Sequence, residues 1–461
     1  MAEAIAKPRY GCALHGAVRT LTAIRGVIPI VHSNAGCAIQ DALASRAGGF
    51  GNAQIAGCAI PGSAVQERHV IFGGASRLRE QIKNSLKVFN GELYVVLNSC
   101  ESAMVGDDIE AMSREAREQG EPVIQSLLAG FHGDSHYGYE TVMADLFSKL
   151  PDIRETLPKP FFSGDKGKPL VNILGILPQQ DLYFRGELLE LRRILAGAGI
   201  QANTFFLSPE GVKELVAASK ADLTLVFSHW GVKAARKLEE LYQIPYQTYD
   251  AVPTGMEEVE TFVRQVAGTL SLPEETIQLF LNLERESFEA CFACIREAFY
   301  AEHANHRIAV VGEERQVKQY AGFLSNYFQA EIAAAVITDV PRNADFYKGL
   351  PLSAAPANSM ESTGLLPKNT VYTSDAQEIS RVLRSASADI VLGSSLEADA
   401  AIQSQAVLLP SSWPVYRQAI YGKSWSGITG AITFAEDYMT KGKEMLRLRE
   451  EKDFFSKDFF I

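Results

Sequence analysis

The feature that most constrains the fold is an alternation of short apolar runs with segments of helical period. The apolar runs 26–32, 93–97 and 307–312 end at glycine or polar residues, as buried strands do. The segment 76–89 has its apolar residues three or four positions apart, which predicts a helix capped by Ser76. Because strands that alternate with helices form parallel sheets, the sequence predicts an α/β fold of Rossmann-like units, with parallel sheets flanked by helices.

The alternation occurs in three stretches, which predict three Rossmann-like domains at 1–165, 166–300 and 301–461, with a linker at 163–169. In parallel sheets of this kind, ligands bind outside the carboxyl ends of the strands, so residues that follow strands are the candidates for a site. Further elements are predicted as strands at 170–177, 200–207, 223–228, 330–338 and 389–393, and as helices at 107–119, 183–196, 233–242, 284–299 and 316–328.

Composition and missing motifs exclude several classes of function. The 44 Lys and Arg residues against 55 Asp and Glu residues give a net charge of −11, so we expect no nucleic-acid partner. An apolar run long enough to span a membrane and a secretory signal are both missing, so we expect a cytoplasmic protein. Gly422-Lys423-Ser424 lacks the upstream glycine of a phosphate-binding loop, so the chain is not expected to bind ATP or NAD by itself.

Three cysteines form the candidate metal site. Cys12, Cys37 and Cys100 each stand beside small residues, and the latter two follow predicted strands. Small neighbours let the backbone approach a bulky inorganic group, and thiolates are the usual ligands of iron–sulfur clusters. The alternative is that all three are buried and act only as small hydrophobic residues. Three thiolates are one short of a four-thiolate site, which favours a cluster shared with another chain.

Several blocks of sequence resemble the nitrogenase component 1 family. Residues 29–37 (PIVHSNAGC), 70–74 (VIFGG) and 100–108 (CESAMVGDD) are similar to the family's V-H-G-x-x-G-C, V-F-G-G and T-C-x-x-x-I-G-D-D. Residues 131–136 (FHGDSH) are similar to its S-F-x-G-S-H loop. The likeness continues through 242–245 and the last Rossmann-like unit, so it covers nearly the whole chain.

The resemblance implies a cofactor and partners. Cys12, Cys37 and Cys100 would be one subunit's ligands to an [8Fe-7S] P-cluster, and an α-like catalytic subunit would supply three more. Two such pairs would form an α2β2 heterotetramer. A separate homodimeric, ATP-dependent iron–sulfur reductase would dock and pass electrons to the P-cluster, from which they would reach a cofactor in the α-like subunit.

Two departures from the family's catalytic subunit indicate a β-like subunit. That subunit holds its active-site cofactor through a middle-domain Cys and a last-domain His. The matching places here read VFSHW at 226–230 and PSSW at 410–413, without that Cys or that His. We therefore expect no catalytic residue and no active-site cofactor in this chain.

The residue at position 130 narrows the choice within the family. A serine ligand of the molybdenum β subunit stands where this chain has Gly130, so the chemistry of the oxidised cluster should differ. Protochlorophyllide and chlorophyllide reductases use a smaller cluster and keep fewer cysteines on the β-like chain, so three cysteines argue against them. A methylthio-alkane reductase small subunit, a cofactor-assembly scaffold and an alternative nitrogenase β subunit stay open. The early position of Cys12 and the missing serine favour the first two, and we favour reductive C–S cleavage of methylthio-alkanes. A binding module without metal is the alternative from a different class.

The remaining candidate residues are expected to serve packing or capping. Cys58, Cys291 and Cys294 are expected to be buried, and a capping or packing role is expected for His132, His136 and His229. Asp107 and Asp108 are expected to start a helix rather than to form a catalytic pair. The segment 453–461 (DFFSKDFFI) is expected to be irregular and to lie in a groove on another subunit, because large apolar side chains are costly to leave in water.

Overall fold

The computed structural model describes residues 6–37, 60–157, 167–301, 305–339, 366–367, 370–416 and 418–457, with side chains as far as 449. The chain divides into two compact units. One consists of Tyr10–Tyr249 with Ala419–Tyr421, and the other of Asp250–Gln418 and Gly422–Ile461 with Met1–Arg9. None of the helices in the described ranges is both long and apolar enough to cross a membrane.

The first sheet has three parallel strands in the order β1-β2-β3. Leu78 and Ile82 pack from one flanking helix against Ile30 and Val96 of the sheet. The strands are β1 (Val27–His32), β2 (Leu93–Asn98) and β3 (Val123–Ser126). The helices are α1 (Ala13–Thr22), α2 (Glu67–Phe72), α3 (Ala75–Val88), α4 (Cys100–Val105), α5 (Ile109–Glu118) and α6 (Ser135–Lys149), with 3-10 turns at Gly130–His132 and Leu150–Ile153.

The second sheet has four parallel strands in the order β5-β4-β6-β7. They are β4 (Leu170–Leu174), β5 (Gln201–Asn203), β6 (Leu223–Val226) and β7 (Tyr246–Thr248). Its helices are α7 (Phe184–Gly197), α8 (Val212–Ala217) and α9 (Val232–Tyr242), with 3-10 turns at Ala218–Lys220 and His229–Gly231.

The third sheet has five parallel strands in the order β10-β9-β8-β11-β12. They are β8 (Arg307–Gly312), β9 (Glu331–Ile337), β10 (Val371–Tyr372), β11 (Ile390–Gly393) and β12 (Val407–Pro410). The accompanying helices are α10 (Met256–Thr269), α11 (Glu274–Ala301), α12 (Glu314–Phe328), α13 (Ala376–Ala386), α14 (Ala398–Gln403) and α15 (Gly427–Lys457), with a 3-10 turn at Ser395–Glu397.

The predicted fold class is confirmed, since helices flank three parallel sheets. Each sheet falls within one of the three predicted domain ranges, and the domain boundaries themselves stay a prediction. The prediction of Ser76 as a helix cap was wrong, because α3 already begins at Ala75 after Gly74. The amide of Gly74 donates to Asp107 Oδ1 at 2.6 Å, which fixes the chain one residue earlier. The elements β3, β12 and α6 were not predicted.

Two further predictions were wrong. Cys291 and Cys294 are exposed rather than packed in the core, because the buried ridge of α11 consists of other residues, among them Phe288 and Phe292. The backbone of 453–457 is helical rather than irregular, because α15 continues to Lys457 and adding a residue to an existing helix costs less than starting one. Cys58 and residues 458–461 lie outside the described residues.

Candidate metal centre

Two of the three predicted ligands meet at Gly130. Cys12 is the N-cap of α1, and Cys100 is the first residue of α4, directly after β2. A Cβ atom built on Gly130 would lie 3.0 Å from the sulfur of Cys12 and 3.0 Å from the sulfur of Cys100. Both sulfurs therefore lie against the same glycine, although the two cysteines are far apart in sequence.

Close packing of α1 on α6 positions Cys12. A Cβ on Gly16 would lie 1.9 Å from the carbonyl oxygen of Ser135, and one on Gly138 would lie 2.1 Å from that of Ala13. The two helices thus approach at a distance that only glycine permits. Cys12 forms an antiparallel bridge with Asp134, and Ala13 N donates to Gly133 O at 3.0 Å.

Serine residues fix the start of α4. The amide of Ser99 donates to His32 O at 3.1 Å and to Ser102 Oγ at 2.9 Å. Ser102 Oγ also donates to His32 O at 3.0 Å. These bonds tie the helix that begins with Cys100 to the end of β1, the strand that leads to Cys37.

Cys37 lies in a short helical segment after β1 and is half-buried. Its amide donates to Asn34 Oδ1 at 3.3 Å. Asn34 in turn contacts Glu101, the neighbour of Cys100: its backbone amide donates to Oε1, and its Nδ2 donates to Oε2 at 2.5 Å. The segments that carry the three predicted ligands are therefore joined, although only Cys12 and Cys100 have sulfurs placed against a common residue.

A buried network joins the blocks that carry the family resemblance. Asp107 Oδ2 lies 2.9 Å from His32 Nε2, and Asp107 Oδ1 accepts from Gly74 N. His32 Nδ1 lies 2.8 Å from Ser63 Oγ. Burial lowers the pKa of His32 despite the opposing effect of the Asp107 carboxylate, which favours a neutral imidazole.

The aspartates and histidines have mixed outcomes. Asp108 starts α5 as predicted, since its side chain accepts from Ala111 N at 2.9 Å, whereas Asp107 serves the network just described. His136 is buried between Tyr10 and Trp230, with ring centroids 4.3 and 5.2 Å away. This is the packing role that was predicted for it.

The other two predicted histidines also contact aromatic rings. His229 lies 4.4 Å from Trp230, and the exposed His132 lies 4.8 Å from Phe131, measured between ring centroids. His15 was not predicted, and its Nδ1 lies 3.5 Å from the sulfur of Cys12. The signal that could have found it is its position one helical turn after Cys12.

Glu140 on α6 was not predicted either. It is 3% exposed, and its Oε1 is buried without a hydrogen-bond partner. Burial raises its pKa to about 7, with an opposing effect from Lys233 and a reinforcing one from Asp134. No sequence pattern marks this residue, because its burial arises only when α9 packs on α6.

The residues present fit an iron–sulfur group. The cysteines are free thiols, and Gly130 leaves open the space beside two of them. Thiolate sulfur is the donor that such clusters take. In the ranges that the structure describes, no three His, Cys, Asp or Glu side chains are grouped to hold a metal ion.

An apolar surface lies beside Cys100, which is itself exposed. Val70, Ile71 and Phe72 of α2 are 49%, 65% and 86% exposed, and Met104 of α4 is 80% exposed. We call these four residues the apolar patch. Since α2 lies against α4, the apolar patch and Cys100 belong to one region of the surface.

Comparison with known proteins gives a consistent family. The family described as "Nitrogenase component 1 type Oxidoreductase" matches residues 12–441. The nitrogenase molybdenum-iron protein alpha chain of Methanosarcina barkeri is 26% identical, over 58% of this chain and 48% of that protein. The cofactor biosynthesis protein NifE of Nostoc sp. is 27% identical, over 57% of this chain and 52% of that protein. The chain thus spans about half the length of these two relatives.

Two further matches cover more of the chain. One component of the light-independent protochlorophyllide reductase of Chlorobium phaeobacteroides is 24% identical, over 84% of this chain and 69% of that protein. The solved structure titled "Nitrogenase Cp1 at pH 6.5" has a TM-score of 0.76 at 16% identity, over 100% of this chain and 97% of that chain, which shows the fold. With a family match over most of its length, this chain belongs to the nitrogenase component 1 type oxidoreductase family.

Proposed function

We propose that this chain is the β-like subunit of a nitrogenase-like reductase and holds one half of a P-cluster through Cys12, Cys37 and Cys100. The observation that carries the proposal is the meeting of the Cys12 and Cys100 sulfurs at Gly130. The other half of the ligand set would come from an α-like subunit. When bound, the cluster would supply reversible one-electron transfer.

The chain's own residues would hold and shield that group. The three cysteines would bind as thiolates, and Gly130 would leave room beside two of them. The hydrogen bonds of Ser99 and Ser102 to His32 O would hold the start of α4 in place. Such outer contacts orient metal ligands and tune the potential of the site.

The exposure of the site supports a partner. Cys100 and the apolar patch are exposed in the isolated chain, and contiguous exposed apolar surface marks interaction sites. We propose an α-like catalytic subunit in an α2β2 heterotetramer and a homodimeric ATP-dependent iron–sulfur reductase as electron donor. The active-site cofactor would lie in the α-like subunit.

For the reaction, we propose reductive C–S cleavage of a methylthio-alkane, which releases methanethiol and a hydrocarbon. Retention of three cysteines together with Gly130 supports this choice over protochlorophyllide reduction. A cofactor-assembly scaffold is a second candidate, favoured by the likeness to NifE. An alternative nitrogenase β subunit is favoured less, because Gly130 replaces the serine. Reductase-dependent release of methanethiol or ethylene by the purified complex supports the reductase, whereas a complex that carries iron but turns over nothing supports the scaffold.

The decisive experiment replaces a predicted ligand. Cys37→Ala in the copurified complex should remove cluster iron and reductase-dependent turnover together. Cys294→Ala is the matched control, because this thiol is exposed on α11 and should leave both unchanged. Full iron content in Cys37→Ala would overturn the proposed ligand set.

A further inference from the structure

The segments that carry Cys37 and Cys100 are joined by one pair of side chains, which we call the Asn34–Glu101 clamp. On one side, Asn34 Oδ1 accepts from the amides of Gly36 at 2.8 Å and Cys37 at 3.3 Å. On the other side, the backbone amide and Nδ2 of Asn34 donate to the two carboxylate oxygens of Glu101. Glu101 is covalently next to Cys100, so the clamp links the backbones of two predicted ligands.

The chemistry of the clamp requires an amide at position 34. Asparagine combines an acceptor oxygen with a donor NH2 group on one short side chain. An aspartate could still accept from Gly36 and Cys37, as it does at helix N-termini, but it would place a second carboxylate against Glu101. An alanine would lose both sides.

The clamp differs from the rest of the site in its exposure. Asn34 is exposed and Glu101 is half-buried in the isolated chain, whereas the His32–Asp107 network is buried. The buried network holds the ends of the sheet whether or not a metal group is present. The clamp lies nearer the thiols in sequence, at the surface that a partner would cover.

We propose that Asn34 and Glu101 are positioning residues that set the separation of Cys37 and Cys100 before the cluster binds. This rests on the proposed function, since it assumes that both cysteines are ligands. Preorganised ligands lose less freedom on binding, and outer partners of metal ligands commonly change metal affinity 10- to 100-fold, which is roughly the effect we expect here.

The test is a set of isosteric exchanges in the complex. Asn34→Asp should keep the cap but set two carboxylates against each other, and Glu101→Gln should set two amide NH2 groups against each other. The double variant N34D/E101Q restores every bond with the polarity reversed, because the Gln NH2 group donates to the Asp carboxylate. We expect each single variant to bind iron roughly 10- to 100-fold more weakly and the double variant to recover.

Two readouts separate positioning from folding. The midpoint potential of the bound cluster should shift in each single variant and return in the double variant. Glu80→Gln is the control, since Glu80 forms an exposed ion pair with Arg77 on α3 and should change neither quantity. If Asn34→Asp equals the wild-type chain, Asn34 is only a helix cap and the proposal is overturned. If the double variant is no better than the weaker single variant, the clamp is equally overturned.

A third readout distinguishes failure of the clamp from failure of the proposed function. Hydrogen exchange on the full chain without iron should be faster at the amides of Gly36 and Cys37 in both single variants and slower again in the double variant. If the wild-type complex holds no iron but this exchange pattern appears, the proposed function fails and the clamp stands as a structural link. If iron is bound and the pattern is missing, the clamp alone fails.

Discussion

The carboxyl edges of the first and third sheets have the same parallel topology but opposite surfaces. At the first edge, Cys100 is exposed, and Cys12 and Cys37 are half-buried. At the third edge, Arg9 crosses the strand ends, where its guanidinium pairs with Glu397 and donates to the carbonyl oxygen of Trp413 at 2.9 Å. The side chains of this ion pair are only 1% and 2% exposed.

The difference shows which edge needs another molecule. Ligands of parallel sheets bind outside the strand ends, so both edges are candidate sites. At the third edge the polar groups are used internally: Glu397 Oε2 accepts from Ser394 N and Oγ at 2.7 Å each, and Ser412 Oγ donates to Val311 O at 2.9 Å. The first edge leaves two thiols beside open space at Gly130. This contrast supports the proposal that the shared metal group lies at the first edge.

The largest predicted effect comes from breaking the closed edge. Arg9→Met should lower the free energy of unfolding by about 3–5 kcal/mol, because it leaves the buried carboxylate of Glu397 without its cation. Lys7→Met is the control, since its ion pair with Asp399 is exposed and its loss should cost less than about 1 kcal/mol. Denaturant unfolding of the full chain measures both. Equal stability of the two variants would show that the third edge is not held by this pair.

The second effect tests the buried charge behind the open edge. Burial raises the pKa of Glu140 from 4.5 to about 7, so the folded chain keeps a proton that the unfolded chain has lost. Its stabilising contribution is full below pH 4.5 and is lost as pH rises through about 7, because ionising this buried carboxyl favours unfolding.

Glu140→Gln removes that dependence. Relative to the wild-type chain, its free energy of unfolding should increase by about 2–3 kcal/mol between pH 5 and pH 8. Glu80→Gln, an exposed carboxyl, should follow the wild-type pH dependence. Parallel curves for Glu140→Gln and the wild-type chain would mean that Lys233 keeps the carboxylate charged.

The elements with strong apolar patterns could be predicted from the sequence, and β8 was predicted with its observed bounds. The four-residue strand β3 could not, because it is too short to show a period. Cys100 could be placed at a strand end from the pattern, whereas the meeting of its sulfur with that of Cys12 depends on how α1 packs on α6. The Arg9–Glu397 pair joins residues 388 positions apart, and no local pattern encodes such a contact.

The smallest effect concerns the space at the open edge. Gly130→Ala adds a Cβ 3.0 Å from both sulfurs and 3.2 Å from Cys12 Cβ, and these contacts are tighter than real Cβ atoms usually make. The backbone at Gly130 is outside the left-handed region, so the substitution acts through space alone. Overpacking of this kind costs about 1–3 kcal/mol, and the lower part of that range is expected because a thiol can rotate away. Such rotation would move a predicted ligand, so iron content of the complex should fall along with the stability of the iron-free chain. Gly422→Ala is the matched control, since its Cβ would have no atom within 4 Å. If both variants unfold alike and hold equal iron, Gly130 does not set the room between Cys12 and Cys100.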